Sequence, residues 1–128
     1  MGKADPTCRA FQTAIEVLAR PWTGLILGLL SDGPLRFSEL EERAAGLGAK
    51  TLSARLKELE ARRIIARDVD GGPPIRVHYR LTVKGRAFGH VGEAIERWGR
   101  ELVADEGQAE TSVVARRARG HLARARKA

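Results

Sequence analysis

The chain has 128 residues, 43% of them hydrophobic, with 23 Lys and Arg against 16 Asp and Glu, a formal net charge of +7 and a pI near 10.5. That length fits one domain with a single core, and the charge favours polyanions, nucleic acid first. One cysteine, Cys8, excludes a disulfide framework and a multi-cysteine metal site, and the longest apolar run, residues 25–30, is far short of the ~20 residues that span a bilayer. With no leader segment in view, a cytoplasmic protein without membrane association is expected.

Residues 1–7 are polar and expected to fray. Phe11, Ile15 and Leu18 stand at helical spacing and predict a first helix over residues 8–18. Pro21 marks a break, and residues 22–30 follow as a short helix, apolar nearly all round and so expected to be buried. Ser31-Asp32-Gly33-Pro34 is strong turn chemistry. Ser38 followed by Glu41 has the form of a capping box, which predicts a helix from Glu39. Its anions Glu39, Glu41 and Glu42 suit the positive end of a helix dipole but repel phosphate. This helix is therefore expected to support its neighbour and not to read bases. Gly46 and Gly48 supply a turn.

The next helix, residues 50–61, carries the main functional expectation. Leu52, Leu56 and Leu59 form one apolar stripe at i, i+4, i+7. Lys50, Ser53, Ala54 and Lys57 lie on the opposite side, with Thr51, Arg55 and Glu58 on the flanks. A major groove admits a helix, and such a face offers it cations, hydroxyls and one small methyl without a steric block. The bland alternative is an ordinary solvated amphipathic helix.

A two-stranded ribbon is predicted next. Residues 64–69 form one strand and Asp70-Gly71-Gly72-Pro73-Pro74 the tip. The returning strand alternates, with Val77, Tyr79 and Leu81 on one side and Arg76, His78 and Arg80 on the other. Arg67 is expected to join that polar face, giving charge of one sign that suits a wing on a phosphate backbone. The alternative is an edge strand defended by charge. Two short helices around a turn followed by a ribbon predict a mainly α winged helix-turn-helix with a small β-hairpin.

Thr82 is expected to cap a long helix over residues 83–103. Phe88, Val91, Ile95, Trp98 and Leu102 make a stripe along it, read as shared between the core and a partner subunit. Phe11 and Ile15 of the first helix are its expected companions, so the dimer residues are Phe11, Ile15, Val91, Ile95, Trp98 and Leu102. Residues 104–128 form an Arg/Ala-rich basic tail, partly helical at best. The organisation is thus a flexible segment 1–7, a winged domain with flanking dimerisation helices 8–103, and the tail.

No phosphate-cradling Gly-Lys-Ser/Thr loop is present, and His78, His90 and His121 share no metal-ligand spacing. Neither cofactor nor metal is expected, and no catalytic residue stands out. Cys8 has two readings: a reactive thiol favoured by its basic neighbours Arg9 and Lys3, or a structural cysteine that packs as a small hydrophobe.

Several stretches together resemble a known family: Cys8; Pro21-Trp22-Thr23 followed by Leu25-Ile26-Leu27; Gly33-Pro34-x-Arg36-Phe37-Ser38-Glu39-Leu40; Lys50-Thr51-Leu52-Ser53-x-Arg55-Leu56-Lys57-Glu58-Leu59; Arg76-Val77-x-Tyr79-x-Leu81-Thr82; and Trp98-Gly99. This pattern resembles the HxlR-type branch of MarR-like transcription regulators and covers residues 8–102. The resemblance implies a homodimer that binds double-stranded DNA at a roughly two-fold symmetric operator. It also implies sensing of a small molecule or electrophile, with Cys8 at the position of the sensor cysteine in some members. The chain departs from the family at Pro21, at Gly48-Ala49 before the second helix, and at Arg9 after the cysteine.

The expectation is a DNA-binding regulator, read as a repressor, and not an enzyme. Lys50, Ser53, Ala54 and Lys57 are assigned to the groove, Thr51 and Arg55 to phosphate or base edge, and Arg67, Arg76 and Arg80 to the wing. Two alternatives stand beside it: a nucleoid-type architectural protein that coats DNA by charge, and a small-molecule or redox protein with a vestigial helix-turn-helix.

Overall fold

The computed structural model describes the backbone of residues 5–127 and the side chains of residues 5–108. Among the described residues, six helices and one two-stranded antiparallel sheet run in the order α1 (Pro6–Ala19), α2 (Thr23–Leu30), α3 (Phe37–Arg43), α4 (Ala49–Ala61), β1 (Ile65–Asp70), β2 (Arg76–Leu81), α5 (Val83–Arg86) and α6 (Phe88–Lys127). The mainly α, winged architecture read from the sequence is the one observed. The chain forms two compact units, residues 1–92 and 93–128. Among the described residues, no single helix is long and apolar enough to cross a membrane.

The first unit is built on a continuous leucine-rich core. Ile26, Leu27 and Leu30 of α2, Leu40 of α3, Leu52, Leu56 and Leu59 of α4, Ile65 of β1 and Leu81 of β2 all belong to it. Burial follows helical periodicity, so each helix is held by one stripe. The α4 stripe is buried nearly completely, with Leu52, Leu56 and Leu59 at 0%, 1% and 2% exposure.

Several local expectations need correction. Helix α1 starts at Pro6, because Asp5 caps it by accepting from the Thr7 N–H at 3.2 Å. None of its residues is fully buried. Helix α2 is not buried all round: Thr23, Ile26, Leu27 and Leu30 are, whereas Leu25 is 42% exposed. Only one side of it meets the core. Trp22 lies outside the helix, in left-handed backbone (φ 72), and the axes of α1 and α2 meet at 87°.

Helix α3 begins two residues before the expected position. The reciprocal cap comes from Glu39, whose Oε1 accepts from the Arg36 N–H at 3.1 Å, and not from Ser38 and Glu41. Thr82 does cap the next helix, its Oγ1 accepting from the Gly85 N–H at 3.2 Å. That helix is interrupted at Ala87, so α5 and α6 replace the single expected element. Ala87 keeps right-handed helical angles, and the flanking Gly85 and Gly89 weaken helix continuity there. The backbone of α6 then stays helical to Lys127, where only partial helix was expected. The side chains of Arg116, Arg117, Arg119, His121, Arg124, Arg126 and Lys127 lie outside the described residues, as do residues 1–4.

The junction between the wing and α5 is tight. Thr82 Oγ1 donates toward the carbonyls of Arg63 at 2.6 Å and Ile64 at 3.0 Å. Gly85 is buried against the same strand entry, and a Cβ there would stand 2.2 Å from the Ile64 carbonyl oxygen. No flexible side chain can yield to relieve that clash. Gly85→Ala is therefore expected to destabilise the fold by about 1–3 kcal/mol in urea denaturation. Gly28→Ala, where a Cβ meets nothing within 4 Å, is expected to stabilise it by up to about 1 kcal/mol.

Candidate nucleic-acid interface

The interface starts from the seam that fixes α4. With Leu52, Leu56 and Leu59 turned inward, the opposite side must face out. Lys50, Ala54 and Lys57 are exposed, and Ser53 and Thr51 are half-buried beside them. Gly48 caps the helix with extended backbone and no side-chain hydrogen bond. The α4 backbone thus begins next to the turn that carries Gly46, whose φ of 97 suits glycine.

Arg55 was expected at phosphate or a base edge, and the structure turns it inward. Its Nε donates to the Pro21 carbonyl at 3.0 Å and its Nη1 to Glu58 Oε1 at 3.1 Å. The side chain is only 13% exposed. Arg20 adds a second cation to the same carboxylate, Nη2 to Oε1 at 2.7 Å and Nε to Oε2 at 3.4 Å. Glu58 is thereby shared by two guanidinium groups, and the turn between α1 and α2 is clamped to α4. Position 55 sits on the edge of the leucine stripe, where a long side chain can swing either way.

The wing is corrected in a similar way. The register pairs Ile65 with Leu81, Arg67 with Tyr79, Asp68 with His78, and Asp70 with Arg76. Directly opposed residues share a face. Arg67 therefore stands on the Val77, Tyr79 and Leu81 side, away from Arg76 and Arg80. The face with Arg76 and Arg80 also carries Asp68 and Asp70, so its charge is not of one sign. Arg80 Nε donates to Asp68 Oδ2 at 2.6 Å, while both side chains remain about half exposed. Arg76 and Arg67 are exposed. At the tip, Val69 and Ile75 are 53% and 72% exposed.

A further contact was not foreseen. Leu35 and Tyr79 exchange backbone hydrogen bonds, Leu35 N to Tyr79 O at 3.0 Å and Tyr79 N to Leu35 O at 2.8 Å. This isolated bridge ties β2 to the segment before α3. The wing and the helix pair thus share hydrogen bonds as well as a core. Leu35 is neither β-branched nor aromatic and follows Pro34, so nothing local in the sequence marks a strand there.

Cys8 is an exposed free cysteine on α1. Phe11 and Ile15 on the same helix are 68% and 46% exposed, and Val91 is 49% exposed. In the second unit, Ile95, Trp98 and Leu102 are 43%, 63% and 42% exposed. Phe88 differs from the rest of its stripe in packing, half-buried, against the core of the first unit. Among the described residues, no three His, Cys, Asp or Glu side chains are grouped as metal ligands would be.

A profile of the HxlR-like helix-turn-helix family matches residues 17–107. The chain belongs to that family. Two Bacillus subtilis regulators illustrate how close members lie. YvaP, described as an uncharacterized HTH-type transcriptional regulator, is 38% identical over 96 residues, 75% of this chain and 89% of its own. YodB, an HTH-type transcriptional regulator, is 40% identical over 91 residues, 71% of this chain and 81% of its own. The reduced form of YodB superposes with a TM-score of 0.67 over 75% of this chain and 91% of that one, at 38% identity. YodB has also been solved diamide-treated and quinone-bound. The oxidized form of the redox regulator HypR gives a TM-score of 0.66 at 28% identity, over 72% of this chain and 95% of that one. Members of the HxlR-like family are DNA-binding transcriptional regulators, and the helix-turn-helix of this chain is α3 and α4.

The Glu58 carboxyl is held below the ordinary carboxylate range, chiefly by the Arg20 hydrogen bond and further by the nearby charges, against an opposing effect of desolvation. A depressed acid stabilises the fold above its unfolded value and loses that contribution as pH falls through the folded one. Glu58→Gln is therefore expected to lower the melting temperature at about pH 7. The gap from the parent protein should close as pH falls below about 4. A gap that persists unchanged in acid would mean that packing, and not the ion pairs, is what the substitution removes.

Proposed function

We propose that this HxlR-like protein is a homodimeric repressor that reads a two-fold symmetric operator with the outer face of α4. The observation that carries this reading is the exposure of Lys50, Ala54 and Lys57 opposite a completely buried leucine stripe. Lys50 and Lys57 donate to base acceptors, Ser53 to either base or phosphate, and the Ala54 methyl meets a thymine methyl. Thr51, at the flank, donates to phosphate. Arg55 acts from behind, by fixing α4 against the turn after α1. In the wing, Arg76 and Arg67 contact the backbone, and Arg80 does so while exchanging its bond to Asp68. Exposed Phe11, Ile15 and Val91 in the first unit, and exposed Ile95, Trp98 and Leu102 in the second, are apolar residues that a second copy covers.

The effector reading follows from Cys8. Its exposure on α1 and the quinone-bound and diamide-treated forms of YodB support a thiol that responds to electrophiles. The Cys8 Sγ adds to an electron-poor quinone carbon and the thiol proton passes to the quinone oxygen. Such an adduct on α1 lies on the helix whose end, through Arg20, reaches α4.

Binding to the DNA upstream of the protein's own gene, against random DNA at one physiological salt, is expected to differ by about 10³ or more. Lys57→Ala should cost about 1–3 kcal/mol on the operator and relax preference at one position per half-site. Arg76→Ala should weaken both DNAs alike and reduce the salt slope by about 1. Equal losses on both DNAs for every α4 variant would remove base reading and leave charge-driven coating. Cys8→Ser should abolish release of the operator by quinone; a response that survives the substitution excludes Cys8 as the sensor.

A further inference from the structure

The turn that joins α1 to α2 holds a residue at odds with its backbone. The Thr23 N–H donates to the Arg20 carbonyl at 3.3 Å and closes a turn with Pro21 and Trp22 at its centre. Pro suits the first central position of such a turn. Trp22, at the second, has φ 72 and ψ −5, the angles that a type II turn asks of glycine. A bulky side chain takes that conformation at an energetic cost. The start of a helix does not demand it. Arg36, Gly48 and Thr82, the N-caps of α3, α4 and α5, are all extended. Arg63, also left-handed, follows the C-cap of α4, where helices ordinarily end that way. Glycine would fit the backbone at position 22 better, so the strained turn serves the indole.

The ring reaches the helix-turn-helix. A Cβ at Gly46 would lie 3.9 Å from Trp22 Cη2, which places the indole at the turn between α3 and α4. Its neighbour Pro21 is held to α4 by the Arg55 Nε bond to its carbonyl, 3.0 Å. Trp22 therefore stands along the flank of α4 that carries Thr51 and Arg55, beside the exposed Lys50 face. Packing uses only part of the ring. Trp22 is 41% exposed, and its N–H has no acceptor among the described residues. An indole nitrogen only donates, and an anionic oxygen is its stronger acceptor. Phosphates at the rim of a groove offer such oxygens and take most of the hydrogen bonds at protein–DNA interfaces. We propose that Trp22 is a DNA-backbone contact: its indole N–H donates to a phosphate oxygen beside α4, and the left-handed turn holds the ring at that edge. The contact rests on the reading of α4 as the helix that enters the groove.

The test uses the full chain, with the DNA upstream of its own gene and random DNA as probes. Trp22→Phe keeps an aromatic ring in the turn and removes the donor. Its affinity, by fluorescence anisotropy, should fall about tenfold on both DNAs alike. Its salt slope should stay that of the parent, because a neutral donor releases no counterion, whereas Arg76→Ala lowers the slope. Methylphosphonates placed singly along each half-site should reveal one position that costs the parent more than it costs Trp22→Phe. A second readout leaves position 22 untouched. The chain has two Trp, so Trp98→Phe assigns the Trp22 indole signal in NMR of the 15N-labelled protein. That signal should shift, and its proton should exchange more slowly, once DNA is bound. Unchanged affinity of Trp22→Phe, a loss on the operator alone, or an indole signal indifferent to DNA overturns the contact. An N–H already protected in the free protein overturns it too, because a second copy then covers the ring. A parent protein that binds both DNAs equally removes base reading by α4 instead, while random DNA still decides the Trp22 contact.

Discussion

Burial of one leucine stripe governs the geometry of this protein. Leu52, Leu56 and Leu59 leave α4 no rotational freedom, because any turn of the helix would expose apolar surface and bury Lys50 or Lys57. Exposing one leucine costs roughly 1.5–3 kcal/mol, and burying an unpaired ammonium costs several more. Those magnitudes exceed what any surface ion pair contributes. The orientation of the candidate reading face is thus set by the core, and the polar contacts refine it.

Those contacts join the elements around α4. The Arg20–Glu58–Arg55 cluster links the α1–α2 turn to α4, and the Leu35–Tyr79 bridge links the wing to the start of α3. The cluster is partly exposed at Arg20 and Glu58, so salt screens it, whereas Arg55 is well covered. The tie between the α1–α2 turn and α4 is therefore of modest strength. It holds one arrangement without the strength of a buried pair. Gly85 marks the opposite case, a backbone approach so close that no alternative arrangement is available without moving β1.

Much of this was legible in the amino-acid sequence, for a definite reason. A period of 3.6 places Leu52, Leu56 and Leu59 together, and a period of two separates Val77 and Tyr79 from Arg76 and Arg80, without any knowledge of partners. What depends on partners is not written in either period. Arg67 was assigned to the wrong face because the register with β2 is a property of the pair, not of either strand. The α3 cap was placed on Ser38 and Glu41, since the Arg36 and Glu39 spacing fits the same three-residue step. Nothing in α4 announces that Arg55 shares Glu58 with Arg20, 38 residues from that carboxylate. Family resemblance carried the helix-turn-helix and the wing through to the comparisons, but it could not position these side chains.

The side of α4 that points outward is open to direct chemical measurement. Ala54→Cys and Leu52→Cys, each made in a Cys8→Ser background, can be timed for maleimide labelling with and without operator DNA. The account predicts fast labelling at position 54 in the free protein, strong protection by operator but not by random DNA, and no labelling at position 52 in either state. A position 54 that is unreactive without DNA, or equally reactive with operator present, would contradict it.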